Sequence, residues 1–167
     1  MSADLALASR LADAAGAAIR PYFRAEFGLE MKADATPVTL ADRAAEAVIR
    51  AILEVERPAD GIVGEEYGSI REDAARVWVL DPIDGTRSFV GGRPIFGTLI
   101  ALVEDGVPIL GVIDQPVSGE RWIGAAGRPT LFNGNLASTR RCANLADALQ
   151  ATTSPAAFTP EQYGKFK

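Results

Sequence analysis

The apolar run Val77-Trp78-Val79-Leu80 ends in Asp81-Pro82-Ile83-Asp84-Gly85-Thr86. Two carboxylates stand three positions apart with a proline between them, and a glycine and a hydroxyl follow directly. Val, Trp and Leu in succession favour a buried strand, so Asp81 is expected where that strand leaves its sheet. Pro82, with no N–H to donate, is expected to stop the ladder, and Gly85 to allow a tight turn. Two hard oxygen ligands at the mouth of a strand suit Mg²⁺ or Ca²⁺. Asp-Gly turn chemistry at a strand end accounts for the same residues without a metal. The rest of the chain has to decide between the two.

At 167 residues, nearly half of them apolar, the chain suits one globular domain with a real core. A formal charge of −5 and the lack of a basic stripe argue against nucleic acid as a partner. No apolar run approaches the roughly 20 residues of a membrane span. The N-terminal Met1-Ser2-Ala3-Asp4 lacks the positive flank of a signal peptide, and Cys142 is the only cysteine. A cytoplasmic setting is therefore expected. The sequence contains no histidine. That excludes a histidine base or histidine metal ligand from this chain, and leaves carboxylates, hydroxyls, lysine or a metal for any catalysis.

Along the chain, Leu7, Leu11, Ala15, Ala18 and Tyr22 fall at helical steps over about residues 4–24, with Pro21 near the end. A polar connector from Gly28 to Val38 contains Lys32. Thr39-Leu40-Ala41-Asp42 reads as a helix start, with Thr39 as cap and Asp42 completing it. The helix that follows is expected to bury Ala45, Val48, Ile49, Ile52 and Leu53 and to end before Pro58. Capping alone accounts for Asp42. Ile62-Val63-Gly64 reads as a short strand leading into Glu65-Glu66, and residues 68–76 as a surface loop. Phe96–Val103 and Val107–Ile113 are apolar runs joined by a hairpin signal at Glu104-Asp105-Gly106. A strand at Arg121–Ala125, a reverse turn at Asn133-Gly134, a short helix at Asn144–Gln150 and a strand at Ala151–Thr153 complete the pattern. Two helices followed by mostly antiparallel strands indicate an α+β layered fold.

Three elements, in this order and spacing, resemble the inositol monophosphatase family of metal-dependent phosphatases. They are the lysine-containing loop from Lys32 to Asp42, Gly64-Glu65-Glu66, and Trp78-Val79-Leu80-Asp81-Pro82-Ile83-Asp84-Gly85-Thr86. The resemblance implies a helix pair on a largely antiparallel sheet, the first domain of a layered αβαβα fold. Residues 1–154 would form that metal-binding domain and 155–167 the start of a connection to an absent second domain. Glu65, Asp81, Asp84 and the backbone carbonyl of Ile83 would hold two or three Mg²⁺ ions, with Glu66 as an outer contact. Asp42 and Thr86 would orient the attacking water, with Glu65 contributing to catalysis. The amides of Gly85 and Thr86 would hold phosphate oxygens, and Lys32 would add positive charge nearby.

Family members are longer, and their second domain supplies another aspartate from a Trp-Asp-x-Ala-Ala segment that has no counterpart in these residues. The sequence is thus expected to be a truncated form, weakly active or inactive by itself. Phe96–Leu102, Gly111–Pro116 and Gly119–Trp122 are more similar to the histidinol-phosphate phosphatase branch than to inositol enzymes. The expected partners are a small phosphorylated substrate and a second copy of the chain, with no nucleic acid and no membrane. Inositol phosphate and sugar phosphates are the alternative substrates. Rival readings are a haloacid dehalogenase-type phosphatase with Asp81 as nucleophile, and an inactive domain with a structural or dimerisation role.

Overall fold

The computed structural model describes residues 2–25, 30–31, 37–149 and 159. It divides into two compact units, Met1–Ala137 and Ser138–Lys167. The first unit contains every helix and strand that bears on the motifs above.

It opens with α1 (Ser2–Ile19), which passes into a single 3₁₀ turn at Arg20–Tyr22. Pro21 stops the α-helix as its missing N–H requires. Two short strands, β1 (Glu30–Met31) and β2 (Pro37–Val38), pair with each other. Next comes α2 (Leu40–Glu56), then β3 (Gly61–Gly64), β4 (Gly68–Ile70), β5 (Arg76–Asp84) and the short helix α3 (Thr86–Val90). The strands β6 (Gly97–Glu104), β7 (Val107–Gln115), β8 (Glu120–Ala125), β9 (Leu131–Phe132) and β10 (Asn135–Leu136) follow. The spatial order is β10-β9-β8-β7-β6-β5-β3-β4, and only the β3–β5 pair is parallel. This is the expected α+β architecture.

Alternation along the strands decides which face the helices cover. Trp78 and Leu80 on β5, Ile100 and Leu102 on β6, and Leu110 and Val112 on β7 are all buried. The register aligns them in rows, Trp78 opposite Leu102 opposite Leu110, and Leu80 opposite Ile100 opposite Val112. Leu7, Leu11 and Ala15 of α1 and Ala45, Ile49 and Leu53 of α2 close the same core. Alanine at these positions lets the helices approach closely. Val48 and Ile52, expected inside, are only half-buried because they flank that stripe. The intervening strand residues face the other way and stay open, with Val79 at 39% and Ile113 at 49% exposure. A shallow hollow of about 740 Å³ runs over that face, lined by Val79, Leu99, Ala101, Ile113 and Trp122 and reaching Asp81.

Three expectations need correction. Residues 68–76 are not wholly a loop, because Gly68–Ile70 pairs antiparallel with β3 as the edge strand of the sheet. Nor does Pro82 end its strand. Pairing of β5 with β6 resumes at Asp84 opposite Gly97. Between Asp81–Leu99 and Asp84–Gly97, β5 carries one residue more than its neighbour, so a bulge absorbs the proline. The Thr98 hydroxyl donates to the Pro82 carbonyl at 2.8 Å and secures it. Among the described residues of the expected helix at 144–150, only a single 3₁₀ turn forms, Leu145–Asp147. The expected strand at 151–153 lies outside the described residues. Among the described residues no helix is long and apolar enough to cross a membrane.

Candidate functional site

The β5 bulge turns two aspartates to one side of the sheet. In a regular strand, residues three apart point to opposite faces. Here Asp81 and Asp84 oppose Leu99 and Gly97, which are two apart and share a face. The extra residue therefore places both carboxylates on the same side.

A third carboxylate comes from β3. Parallel pairing continues one step beyond that strand, the Glu65 amide donating to the Leu80 carbonyl at 3.3 Å. This fixes Glu65 beside the residue that precedes Asp81, and the Glu65 and Asp81 carboxyls share a hydrogen bond. Asp42 enters from the N-terminus of α2. Its carboxylate accepts the Thr39 amide at 2.8 Å and the Thr39 hydroxyl at 2.5 Å, a reciprocal cap. Capping is thus present, and Asp42 also lies near enough to Glu65 and Asp81 to feel their charge.

The electrostatics record this crowding. Asp81 is pushed up to about 7, first by burial, then by the Glu65 hydrogen bond and the charges of Glu65, Asp84 and Asp42. Burial also pushes Asp42 up, the Thr39 hydrogen bonds offsetting part of the rise. One oxygen of Asp81, Oδ1, is buried with no hydrogen-bond partner. A buried carboxylate oxygen without a donor is costly unless a cation faces it.

After Asp84, Gly85 takes a left-handed conformation at φ 92° and caps α3, its carbonyl accepting from Ser88 at 2.8 Å and Phe89 at 3.2 Å. A five-residue helix has little stability alone. Phe89 anchors it, packing edge-on against Phe96 with centroids 5.2 Å apart and against Phe23 at 5.9 Å. The Thr86 hydroxyl turns back to donate to the Ile83 carbonyl at 3.1 Å. The amides of Thr86 and Arg87, the first two positions of α3, have no acceptor within the helix.

Of the expected site residues, Glu65, Asp84 and Asp42 all lie near enough to Asp81 for their charges to act on it, and Ile83, Gly85 and Thr86 flank Asp84 in the chain. Glu66 is held through its amide, which donates to the Glu46 carboxylate at 2.7 Å. Lys32 lies outside the described residues. Among the described residues no three acidic side chains are arranged ready to hold a metal ion. The donor set nonetheless fits a hard divalent cation. Every member is a carboxylate or carbonyl oxygen, and Asp81 Oδ1 has no other partner. Glu46 was not anticipated from the sequence. The available signal was a glutamate inside the apolar stripe of α2, between Ala45 and Ile49.

The family model described as the inositol monophosphatase family matches residues 1–163. The chain belongs to the inositol monophosphatase family. It is 52% identical over 158 residues to a chloroplastic bifunctional phosphatase of Arabidopsis thaliana, covering 93% of this chain and 46% of that protein. It is 48% identical over 126 residues to a histidinol-phosphatase of Mycobacterium tuberculosis, covering 75% of this chain and 48% of that one. A solved structure of an inositol monophosphatase from Zymomonas mobilis superposes with a TM-score of 0.84 at 58% identity, covering 99% of this chain and 64% of the other. The chain thus spans about half the length of the curated relatives it matches.

Proposed function

We propose that this chain carries the metal- and phosphate-binding part of a Mg²⁺-dependent phosphomonoester hydrolase acting by direct attack of water. The observation that carries the reading is Asp81, a half-buried carboxylate on which the charges of Glu65, Asp84 and Asp42 all act and one of whose oxygens is buried without a donor. Glu65, Asp81, Asp84 and the Ile83 carbonyl would hold two or three Mg²⁺ ions. Bound metal would supply charge neutralisation for the phosphate and a more acidic water.

The chain's own groups account for the remaining requirements. Asp42, its carboxyl held by Thr39, accepts a proton from the incoming water. Thr86 helps to orient that water, its hydroxyl steadied by Ile83. The amides of Gly85 and Thr86, at the N-terminal end of α3, would donate to phosphate oxygens. Lys32 is assigned a supporting positive charge. No histidine is needed for any of these steps.

The proposed substrate is histidinol phosphate, supported by the β6–β8 sequence and by the relatives named histidinol-phosphatase. The Zymomonas protein carries the name inositol monophosphatase, so inositol phosphate is the second reading. Assembly with a second copy of the chain and a cytoplasmic setting complete the proposal. The test is phosphate release with Mg²⁺ from histidinol phosphate, inositol monophosphate and fructose bisphosphate, using the protein at its full natural length. Histidinol phosphate is expected to be turned over fastest, and Asp84→Asn to abolish turnover. An unchanged rate in that variant would sink the site assignment. Accumulation of a phospho-aspartate at Asp81 would replace attack by water with a covalent mechanism.

A further inference from the structure

We propose that Glu46 is a positioning residue for this site, holding the Glu65–Tyr67 turn so that the Glu65 carboxylate meets Asp81. The inference rests on the metal-dependent reading above and concerns a side chain outside the expected ligand set.

Glu46 lies one helical turn after Asp42 and is fully buried, at 0% exposure. An ionised carboxylate at such a position is strongly unfavourable unless donors surround it. Three do. Glu46 Oε2 accepts the Glu66 amide at 2.7 Å, and Oε1 accepts the Tyr67 amide at 3.1 Å and Arg50 Nε at 2.7 Å. Arg50 also donates to the Gly68 carbonyl, and its guanidinium lies 6.0 Å from the Tyr67 ring centroid. Helix α2 thus grips both ends of the turn that begins at Glu65.

Gly64 makes the approach possible. A Cβ there would lie 2.0 Å from Glu46 Oε1 and 2.7 Å from Arg50 Nη2. The other side of the turn is anchored by the Glu65 amide on Leu80. Three consecutive amides are therefore committed, one to the strand bearing Asp81 and two to Glu46. This matters because Glu65 and Asp81 repel each other when both are ionised. A loose turn would let Glu65 withdraw, whereas the Glu46 anchor keeps it in place. With both oxygens occupied by protein donors, Glu46 acts through the turn and not as a ligand itself.

The test measures Mn²⁺ binding by calorimetry, at a temperature where circular dichroism shows each variant folded. In Glu46→Gln an NH₂ replaces one accepting oxygen and faces a donor. The Mn²⁺ Kd is expected to rise about 10–100-fold, with faster hydrogen exchange at the Glu66 and Tyr67 amides. Leu53→Ala, a cavity on the same helix, is expected to lower the thermal midpoint and leave the Kd unchanged. Gly64→Ala should reproduce the Glu46→Gln effect, and the double variant should bind no more weakly than either single one. A folded Glu46→Gln protein that binds Mn²⁺ as tightly as the parent overturns the proposal, as does equal weakening in Leu53→Ala. A parent that binds no Mn²⁺ overturns the metal-dependent reading itself, and this inference with it.

Discussion

Asp81 is held well above the ordinary carboxylate range by burial and by the acidic groups around it. Its folded pKa is raised, so the folded protein binds more protons than the unfolded chain between the ordinary carboxylate range and about pH 7. Stability must then fall as pH rises through that window. Asp42 and Asp114, also shifted upward, act in the same direction. In the presence of a chelator, the thermal midpoint is expected to be higher at pH 5 than at pH 8. Asp81→Asn should flatten that difference and raise the pH 8 midpoint by about 3 °C or more, since roughly 1 kcal/mol is worth a few degrees. The same substitution should abolish the stabilisation that added Mg²⁺ gives the parent. A melting series with and without Mg²⁺ checks both, and a lower Asp81→Asn midpoint at pH 8 would show that the carboxylate is well accommodated.

Single elements show why local signals were readable and where they stopped. Thr39 and Asp42 formed the cap that their spacing indicated. Thr39→Ala is expected to cost about 1 kcal/mol through the lost cap, visible as a lower urea midpoint with unchanged slope. The turns Asp105-Gly106 and Asn133-Gly134 were equally legible, because positive φ at both residues suits those pairs. Strand β5 was legible only in part. Its apolar run marked a buried strand, but the bulge that carries it past Pro82 depends on β6. Strand β4 was missed because Gly68-Ser69-Ile70 has no alternation of its own and exists by pairing with β3.

Across the whole first unit, ion pairs tie the helix layer to the sheet. Arg121 on β8 donates to Asp114 on β7 at 2.7 Å, to Asp13 on α1 at 2.8 Å and to the Ser9 carbonyl at 3.3 Å. Toward the other edge, Asp4 of α1 bonds Arg76 of β5 at 2.7 Å. Arg121→Ala would leave Asp114, only 5% exposed, without its hydrogen-bonded guanidinium and with Arg20 as a more distant cation. The expected cost is about 3 kcal/mol at pH 8, toward the low end for breaking a buried pair. At pH 5 the cost should be smaller, because burial already pushes Asp114 up and the unpaired carboxyl can protonate. Urea titrations at the two pH values decide it, and equal losses would mean that the pair contributes only packing.

The sequence by itself determined the two long helices, the turns at Asp105-Gly106 and Asn133-Gly134, the Thr39 cap and the motif that carries Asp81, Asp84, Gly85 and Thr86. Those follow from periodicity, turn chemistry and residue type, all of them local. The tertiary structure decided which carboxylates meet, because the facing of Asp84 depends on a register shift against another strand. It also decided what Glu46 does. Its partners are backbone amides about twenty positions away, and an amide is present at almost every residue, so no side-chain pattern announces the contact.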